Sequence, residues 1–451
     1  MQITHEAIVQ RARDSGVRLV QFLYCDNGAI IRGKASALPG LGGRLSDGIG
    51  LTVAMMAMNS LDQLQPVEGM GAVGEIRLVP DPASFVVLPY QPHTAAMMCD
   101  MITGAREPWA GCPRSFLKRM RARAAAHDVQ LRAAMEAEFS LATRDAAGVY
   151  APFDRTLCFA STGMAMAGPF ASDLVATLES QGNIVEQYYP ELGHGQHEIT
   201  IRHQEVLRAA DNHLWLREAI RGVARTHGLV ASLAPKPFAD QAGNGAHIHF
   251  SLWDANDRNL FYDSTAADGL SLIGRQFMAG VLAHLPALVA ITCPSVNSYY
   301  RLQPRAWSSA YAIWGHDNRE AALRVASPFW SDVAGSTNLE LKSADSSCNP
   351  YLALGALLAA GLDGIERELD PGESVEVDPA TLSDVEQLER GITRLLTTLD
   401  AALDALEADA LLLDALGPLL ARSFLSVRRS EARAYAAMDE ATQFTEHFEK
   451  Y

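Results

Sequence analysis

Basic residues are scarce in this chain of 451: 37 Lys and Arg stand against 53 Asp and Glu, a formal net charge of −16. Nucleic acid and anionic membrane both require a basic surface, so neither is an expected partner. Six cysteines (Cys25, Cys99, Cys112, Cys158, Cys293 and Cys348) are scattered without any CxxC spacing. They read as reduced thiols of a cytoplasmic protein, mostly small core residues. No run of 18 or more apolar residues occurs, so no membrane span is expected. The opening stretch MQITHEAIVQRARDSG is a charged amphipathic helix without the apolar core of a signal peptide. Internal repeats are absent too. What remains is an ordinary globular composition, 48% hydrophobic and 20% charged. The length exceeds what one core supports, so two domains are expected.

After the first helix, VRLVQFLYCDNGAIIRGK reads as two strands joined by a tight hairpin at Asp26-Asn27-Gly28. A Gly-rich loop ends in LSDGIGLTVAMM, and GEIRLVPDPASFVVLPYQPHTAAMMCDM supplies further short strands punctuated by proline. This opening part is a small, mainly β module with one helix. Near Glu107-Pro108 the pattern changes. Pro113 opens a basic helix, and strands then alternate with helices over about Ala171–Gln181 and Ala209–Thr226. LSLIGRQFMAGVLAHLPALVAIT continues as a longer helical pattern, and Asn349-Pro350 starts a strongly apolar helix expected to be buried. From Leu382 onward the chain is helical and acid-rich, broken at Gly417-Pro418.

Chemistry concentrates in KPFADQAGNGAHIHFS, residues 236–251. A polar loop runs into a strand in which His247 and His249 share one face, opposite Ala246, Ile248 and Phe250. Three other strands repeat the device. In LRAAMEAEFSL, Glu136 and Glu138 oppose Met135, Ala137 and Phe139; in GQHEITIR, Glu198, Thr200 and Arg202 oppose His197, Ile199 and Ile201; in NLELKSAD, Glu340 and Lys342 oppose Leu339 and Leu341. One such strand is an ordinary half-solvated sheet. Four, with carboxylates and imidazole recurring on the polar face, point to a hard divalent cation such as Mg²⁺ or Mn²⁺.

Six motifs in order, MEAEFSL, PELGHGQHEI, KPFADQAGNGAHIHFS, NSYYRL, DNREAALR and LELKSADSSCNPYLALGALLAAGLDGI, resemble those of bacterial type I glutamine synthetases over nearly the whole length. The resemblance implies an α+β fold with an N-terminal β-grasp domain over residues 1–107. A catalytic domain over residues 108–451 would carry an antiparallel sheet flanked by helices. It also implies ATP and Mg²⁺ (or Mn²⁺), hexameric rings stacked into a dodecamer, and sites shared between neighbouring subunits. Residue by residue, Glu138, Glu191 and Glu198 match ligands of one cation, and Glu136, His247 and Glu340 ligands of the second. Arg319 and Arg324 match phosphate-side arginines, Arg301 a partner of the glutamate carboxylate, and Gly243 a backbone contact to its amino end. Ser251 and His249 match positions beside the nucleotide. Two cations and basic side chains suit phosphoryl transfer.

Departures from the pattern bear on the acceptor. Trp307 stands where the family carries a flap glutamate that helps deprotonate ammonium, and a tryptophan can neither take a proton nor pair with ammonium as a carboxylate. It can wall an amine pocket or offer a cation–π face. Asp47, matching the aspartate of the small module, is expected to reach a neighbour's site. Lys342 replaces an arginine and so loses the bidentate fork. Basic residues usual before the metal glutamate are missing from SPFWSDVAGSTNLE, and no tyrosine matches an adenylylation loop. The pattern is similar to the branch that includes γ-glutamylamide ligases acting on amines larger than ammonia. The expected activity is ATP-dependent joining of L-glutamate to an organic amine, within nitrogen metabolism. A glutamine synthetase using ammonia, a non-catalytic scaffold, and phosphorylation of a guanidino compound are the alternatives.

Overall fold

The computed structural model describes residues 3–451. Helix α1 (His5–Asp14) is capped by Thr4, whose hydroxyl accepts the Ala7 N–H at 3.2 Å. Strands β1 (Leu19–Cys25) and β2 (Ile31–Ala37) follow, then α2 (Leu41–Asp47), β3 (Ile49–Thr52), β4 (Glu75–Pro80), β5 (Val86–Val87) and β6 (Thr94–Ile102). Among the described residues these strands form one sheet in the order β2-β1-β6-β4-β3, with β5 on β6 and β1 parallel to β6.

Pro113 starts α3 (Pro113–Ala126), which leads to β7 (Gln130–Met135), β8 (Ala137–Arg144) and β9 (Tyr150–Pro152). Then come α4 (Ser161–Ser180), β10 (Val185–Pro190), β11 (Gln196–Ile201), β12 (Gln204–Glu205), α5 (Val206–Thr226), β13 (Val230–Ser232) and β14 (Ile248–Trp253). Beyond α6 (Leu272–Thr292) and the short α7 (Ser298–Arg301) lie β15 (Tyr311–His316), β16 (Ala321–Ala326), α8 (Val333–Ser336) and β17 (Asn338–Leu341). Helix α9 (Pro350–Glu366) starts at Pro350 under an Asn349 cap. The chain finishes in α10 (Asp384–Glu389), α11 (Leu399–Ala408), α12 (Ala410–Leu416), α13 (Pro418–Ala436) and α14 (Glu440–Lys450).

Two sheets carry the larger part of the chain. One runs β10-β11-β8-β13 with β9 on β8; the other runs β12-β7-β14-β17-β16-β15. The main core packs the apolar face of the second sheet (Ile248, Phe250, Leu323, Leu339, Leu341) on α6 and α9. Helix α6 is long and apolar enough to cross a membrane by composition, yet most of it is buried inside the fold. It lies so close to α9 that a Cβ on Gly280 would fall 2.2 Å from the Ala360 carbonyl oxygen. A second core lies under the N-terminal sheet, and a third packs β8 and β11 on α4 and α5. Polar ties bind the N-terminal sheet to the rest: Arg114 of α3 meets Asp81, Asp100 and Asp211 at 2.8, 3.0 and 2.9 Å.

Several expectations shift. The Asp26-Asn27-Gly28 turn is longer than a tight hairpin: Asp26 N–H bonds the Ile30 carbonyl, and Ala29 is left-handed (φ 62°). Buried Asn27 is drawn inward, its amide donating to Met56 O and Ser423 Oγ. Part of the Gly-rich loop is helical, as α2. Helix α4 begins ten residues before the expected start and carries Pro169 inside it. LRAAMEAEFSL is not one strand, because the chain leaves one sheet after Met135 and enters the other at Ala137. The expected antiparallel sheet is present as β10-β11-β8-β13 with β9, whereas the other sheet is antiparallel except for β15 and β16, which run parallel. All six cysteines are free, and only Cys158 is not fully buried.

Candidate active site

The break at Glu136 is what builds the site. Where β7 and β8 part, backbone groups that would pair within one sheet bond instead to the AGNGAH segment: Glu136 N–H donates to His247 O at 2.9 Å and Glu138 N–H to Gly245 O at 3.1 Å. Side chains from both sheets thereby face one seam. From one side, Glu138 lies opposite Glu198 across β8 and β11. From the other, His249, Glu340 and Arg324 form a row across β14, β17 and β16.

Distances within the seam are short. His249 Nε2 is 3.2 Å from Glu136 Oε1, and His247 Nδ1 is 3.2 Å from Glu340 Oε1. His247 also lies 3.8 Å from Glu136 and 4.0 Å from Glu138. Ligand atoms of Glu136, His249 and Glu340 all fall within 4.8 Å of one another. His249, assigned to the nucleotide side by resemblance, thus shares the carboxylates of the second cation group with His247. Arg324 Nε pairs with Glu340 Oε2 at 2.5 Å, and buried Lys342 Nζ lies 3.4 Å from Glu340 Oε1.

The electrostatics divide the acids in two. Burial opposes ionisation of Glu136, but the His249 charge and hydrogen bonds from both imidazoles outweigh it and hold the carboxyl well below its usual range. Glu340 is likewise lowered, burial being outweighed by Lys342, His249, His247 and Arg324. His249 rises to about 9, since Glu136 more than offsets its burial. On the other side Glu191 is pushed up to about 7 by burial and by Glu138. Glu198 is raised well above the carboxylate range by burial and then by Glu136 and Glu138. Five carboxylates and two imidazoles gather here, and Glu191 and Glu198 are on balance raised by burial and by neighbouring acids; such oxygen donors with imidazole fit Mg²⁺ or Mn²⁺.

Around the seam the other assigned residues take separate stations. Gly243 accepts a bond from Gln196 Nε2 at 2.8 Å, and a Cβ there would lie 2.4 Å from Pro235 O and 2.7 Å from Arg301 Cγ, so only glycine fits. Arg301 is buried, with Nη2 donating to Ala344 O at 2.9 Å and Nε without a partner among the described residues. Ser251 and His249 line a cavity of about 390 Å³ together with Thr200, His203, Phe329 and Asn338. Arg319 is exposed on the turn before β16, close enough to Glu191 for its charge to oppose the rise of that acid. Trp307 is 61% exposed in the loop between α7 and β15, where its backbone N–H donates to Glu320 Oε1 at 2.9 Å. Asp47 is exposed at the end of α2.

Several supporting residues escaped the sequence reading. Gln196 donates to Glu138 Oε2 at 3.3 Å, and Asn338 Oδ1 lies 2.8 Å from His249 Nδ1. Each stands two residues before an assigned glutamate, on the same strand face, so the period of two could have found them. Tyr189, whose hydroxyl bonds Glu198 across the strand pair, and Glu320 carry no such signal.

A profile of the glutamine synthetase catalytic domain matches residues 110–447, and one of the glutamine synthetase N-terminal domain matches residues 4–113. The chain belongs to the glutamine synthetase family. A gamma-glutamylpolyamine synthetase of Streptomyces coelicolor is 36% identical over 428 residues, covering 94% of this chain and 92% of that protein. A glutamine synthetase of Halobacterium salinarum is 36% identical over 394 residues, covering 85% and 86%. Among solved structures, a novel glutamine synthase homolog superposes with TM-score 0.87 at 34% identity, covering 96% of this chain and 99% of that one. A GmaS/ADP complex gives 0.85 at 30%, covering 97% and 98%. As a glutamine synthetase family protein this chain is an ATP-dependent ligase that forms C–N bonds and uses a divalent cation. The family acts on small molecules and typically oligomerises.

Proposed function

We propose that this ligase activates L-glutamate as γ-glutamyl phosphate and condenses it with an organic amine, giving a γ-glutamylamide. The observation that carries the reading is Trp307, an exposed indole on the loop where the family places a proton-accepting glutamate. An aromatic wall favours an amine with a carbon body, or an ammonium over its face. Similarity to a gamma-glutamylpolyamine synthetase supports it.

In this reading Glu138, Glu191 and Glu198 hold one cation and Glu136, His247 and Glu340 the other, with His249 at the edge of the cavity that takes ATP beside Ser251. Bound there, the cations would neutralise phosphate charge. Arg301 and the Gly243 backbone fix glutamate so that its γ-carboxylate oxygen meets the γ-phosphorus and ADP departs. Lys342 keeps a positive charge beside that carboxylate, while Arg319 and Arg324 steady the phosphoryl oxygens. Arg324 must first exchange its bond to Glu340. The ammonium form of the amine first loses a proton, and the neutral amine attacks the acyl carbon; the C–N bond forms as phosphate leaves with the C–O electron pair, and a second N–H proton is lost to give the neutral amide. Asp47 of a neighbouring chain supplies the carboxylate for the ammonium, in rings of six stacked as a dodecamer in the cytoplasm.

The test is ATP-dependent phosphate release with glutamate, Mg²⁺ and a panel of ammonium, methylamine, ethanolamine, putrescine and aniline, with mass spectrometry of the product. A γ-glutamyl-N-substituted amide is expected, and Trp307→Glu should raise ammonium use. Highest kcat/KM for ammonium in the wild type would overturn the reading.

A further inference from the structure

We propose that Glu320 is the latch of the Trp307 loop: its buried carboxylate sets where the indole stands and so which amines are accepted, an inference resting on Trp307 as the wall of the amine pocket. The loop cannot hold its own shape. Arg305 (φ 61°), Trp307 (φ 51°) and Ser309 (φ 65°) all adopt left-handed backbone, each costing about 1 kcal/mol without glycine. Only surrounding contacts can keep such a segment in one conformation.

Those contacts converge on the turn before β16. Glu320 Oε1 accepts the Trp307 N–H at 2.9 Å, and the Arg305 amide faces the same carboxylate. Ser309 Oγ donates to Arg319 O at 3.3 Å. The turn is itself anchored: Glu320 N–H donates to Asn318 Oδ1 at 3.0 Å, and Asn318 Nδ2 to Val375 O at 2.7 Å. Glu320 is 4% exposed, and its Oε2 has no hydrogen-bond partner among the described residues. Burying a carboxylate with one oxygen unused is costly for a purely structural link. Burial raises the Glu320 pKa and Asp378 adds to the rise, against the Trp307 and Arg305 amides and the charge of Lys342 in the site, which favour the ionised form. Glu320 is therefore a positioning residue, one position from Arg319 and joined directly to the backbone of Trp307.

Amide hydrogen exchange and steady-state kinetics of the full chain separate the two halves of the idea. With Glu320→Ala, amides in 303–310 should exchange about tenfold faster or more while the rest of the chain is unchanged. KM for the preferred amine should rise several-fold, its advantage over ammonium should shrink, and KM for ATP and glutamate should stay. Glu320→Gln, whose carbonyl still accepts, should lie between, and it carries the test if the alanine variant misfolds. Unchanged exchange in 303–310 overturns the latch. Faster exchange with unaltered amine preference overturns the link to amine choice; if Trp307→Glu is also silent on ammonium use, the fault lies in the proposed function rather than in the latch.

Discussion

Acidification should weaken binding of Mg²⁺ or Mn²⁺ at the proposed cation site, because Glu191, assigned there as a ligand, must give up its proton to the solvent first. In the metal-free chain, burial and Glu138 push Glu191 up to about 7. Its ionised fraction then falls from about nine-tenths at pH 8 to about one-tenth at pH 6, so apparent affinity drops about tenfold over that range from this group alone. Glu198, also raised, by burial and by Glu136 and Glu138, acts in the same direction. Calorimetric titration with Mn²⁺ at pH 6, 7 and 8, in two buffers of different ionisation enthalpy, reads both affinity and protons released. Glu191→Gln should flatten the profile between pH 6 and 8. An affinity independent of pH with no proton release would refute the reasoning. Linkage adds a check of opposite sign. The native state holds a proton on Glu191 that the unfolded chain, with a glutamate value of about 4.3, has lost. The metal-free fold therefore loses stability as pH rises from there through about 7, and added cation should reverse the trend.

Gly243→Ala should displace Arg301, given the 2.4 and 2.7 Å approaches of the added Cβ; the expected outcome is a higher KM for glutamate with ATP affinity retained and about 1–3 kcal/mol of stability lost. Arg114→Met removes the buried cation shared by Asp81, Asp100 and Asp211, and though Asp100 keeps Lys118, the deeply buried Asp211 is left with no ion-pair partner among the described residues; the change should cost about 3–5 kcal/mol in urea unfolding, and a loss below about 1 kcal/mol would contradict it. His284 lies with Nδ1 2.6 Å from Asp409 and Nε2 3.1 Å from Asp363, bonds that only imidazolium can donate together. The Asp409 bond, ahead of an opposing burial effect, raises its pKa. Its contribution is complete below about 6.5 and fades as pH rises through the raised folded value. His284→Gln should cost about 1.5–3 kcal/mol at pH 6 and less at pH 9, and equal costs at both would exclude the charged form.

Much of the site was legible because strand periodicity is local. Glu136, Glu138, Glu198, His247, His249 and Glu340 could be sorted onto polar faces by counting in twos, since adjacent side chains in a strand point to opposite sides. Carboxylate and imidazole at those positions named the class of cation. Helices with caps and proline starts, such as those opening at Pro113 and Pro350, were also readable, because their termini must satisfy backbone groups within a few residues. Helix α4 was read short because Pro169 and the glycines before it oppose helix locally, and packing against α5 and the third core overrides them.

The amino-acid sequence by itself determined which residues could face one another and what chemistry they could do: acids, imidazoles and a flap with an indole in place of a carboxylate. Only tertiary structure decided where they meet. The switch of sheets at Glu136 depends on the carbonyls of His247 and Gly245, more than 100 residues away in the chain. The same holds for His249 joining the cation carboxylates, for Gln196 and Asn338 steadying the seam, and for Glu320 gripping Trp307. Hydrogen bonds and charge act over a few ångströms of space, so partners distant in sequence acquire their roles only when the chain has folded.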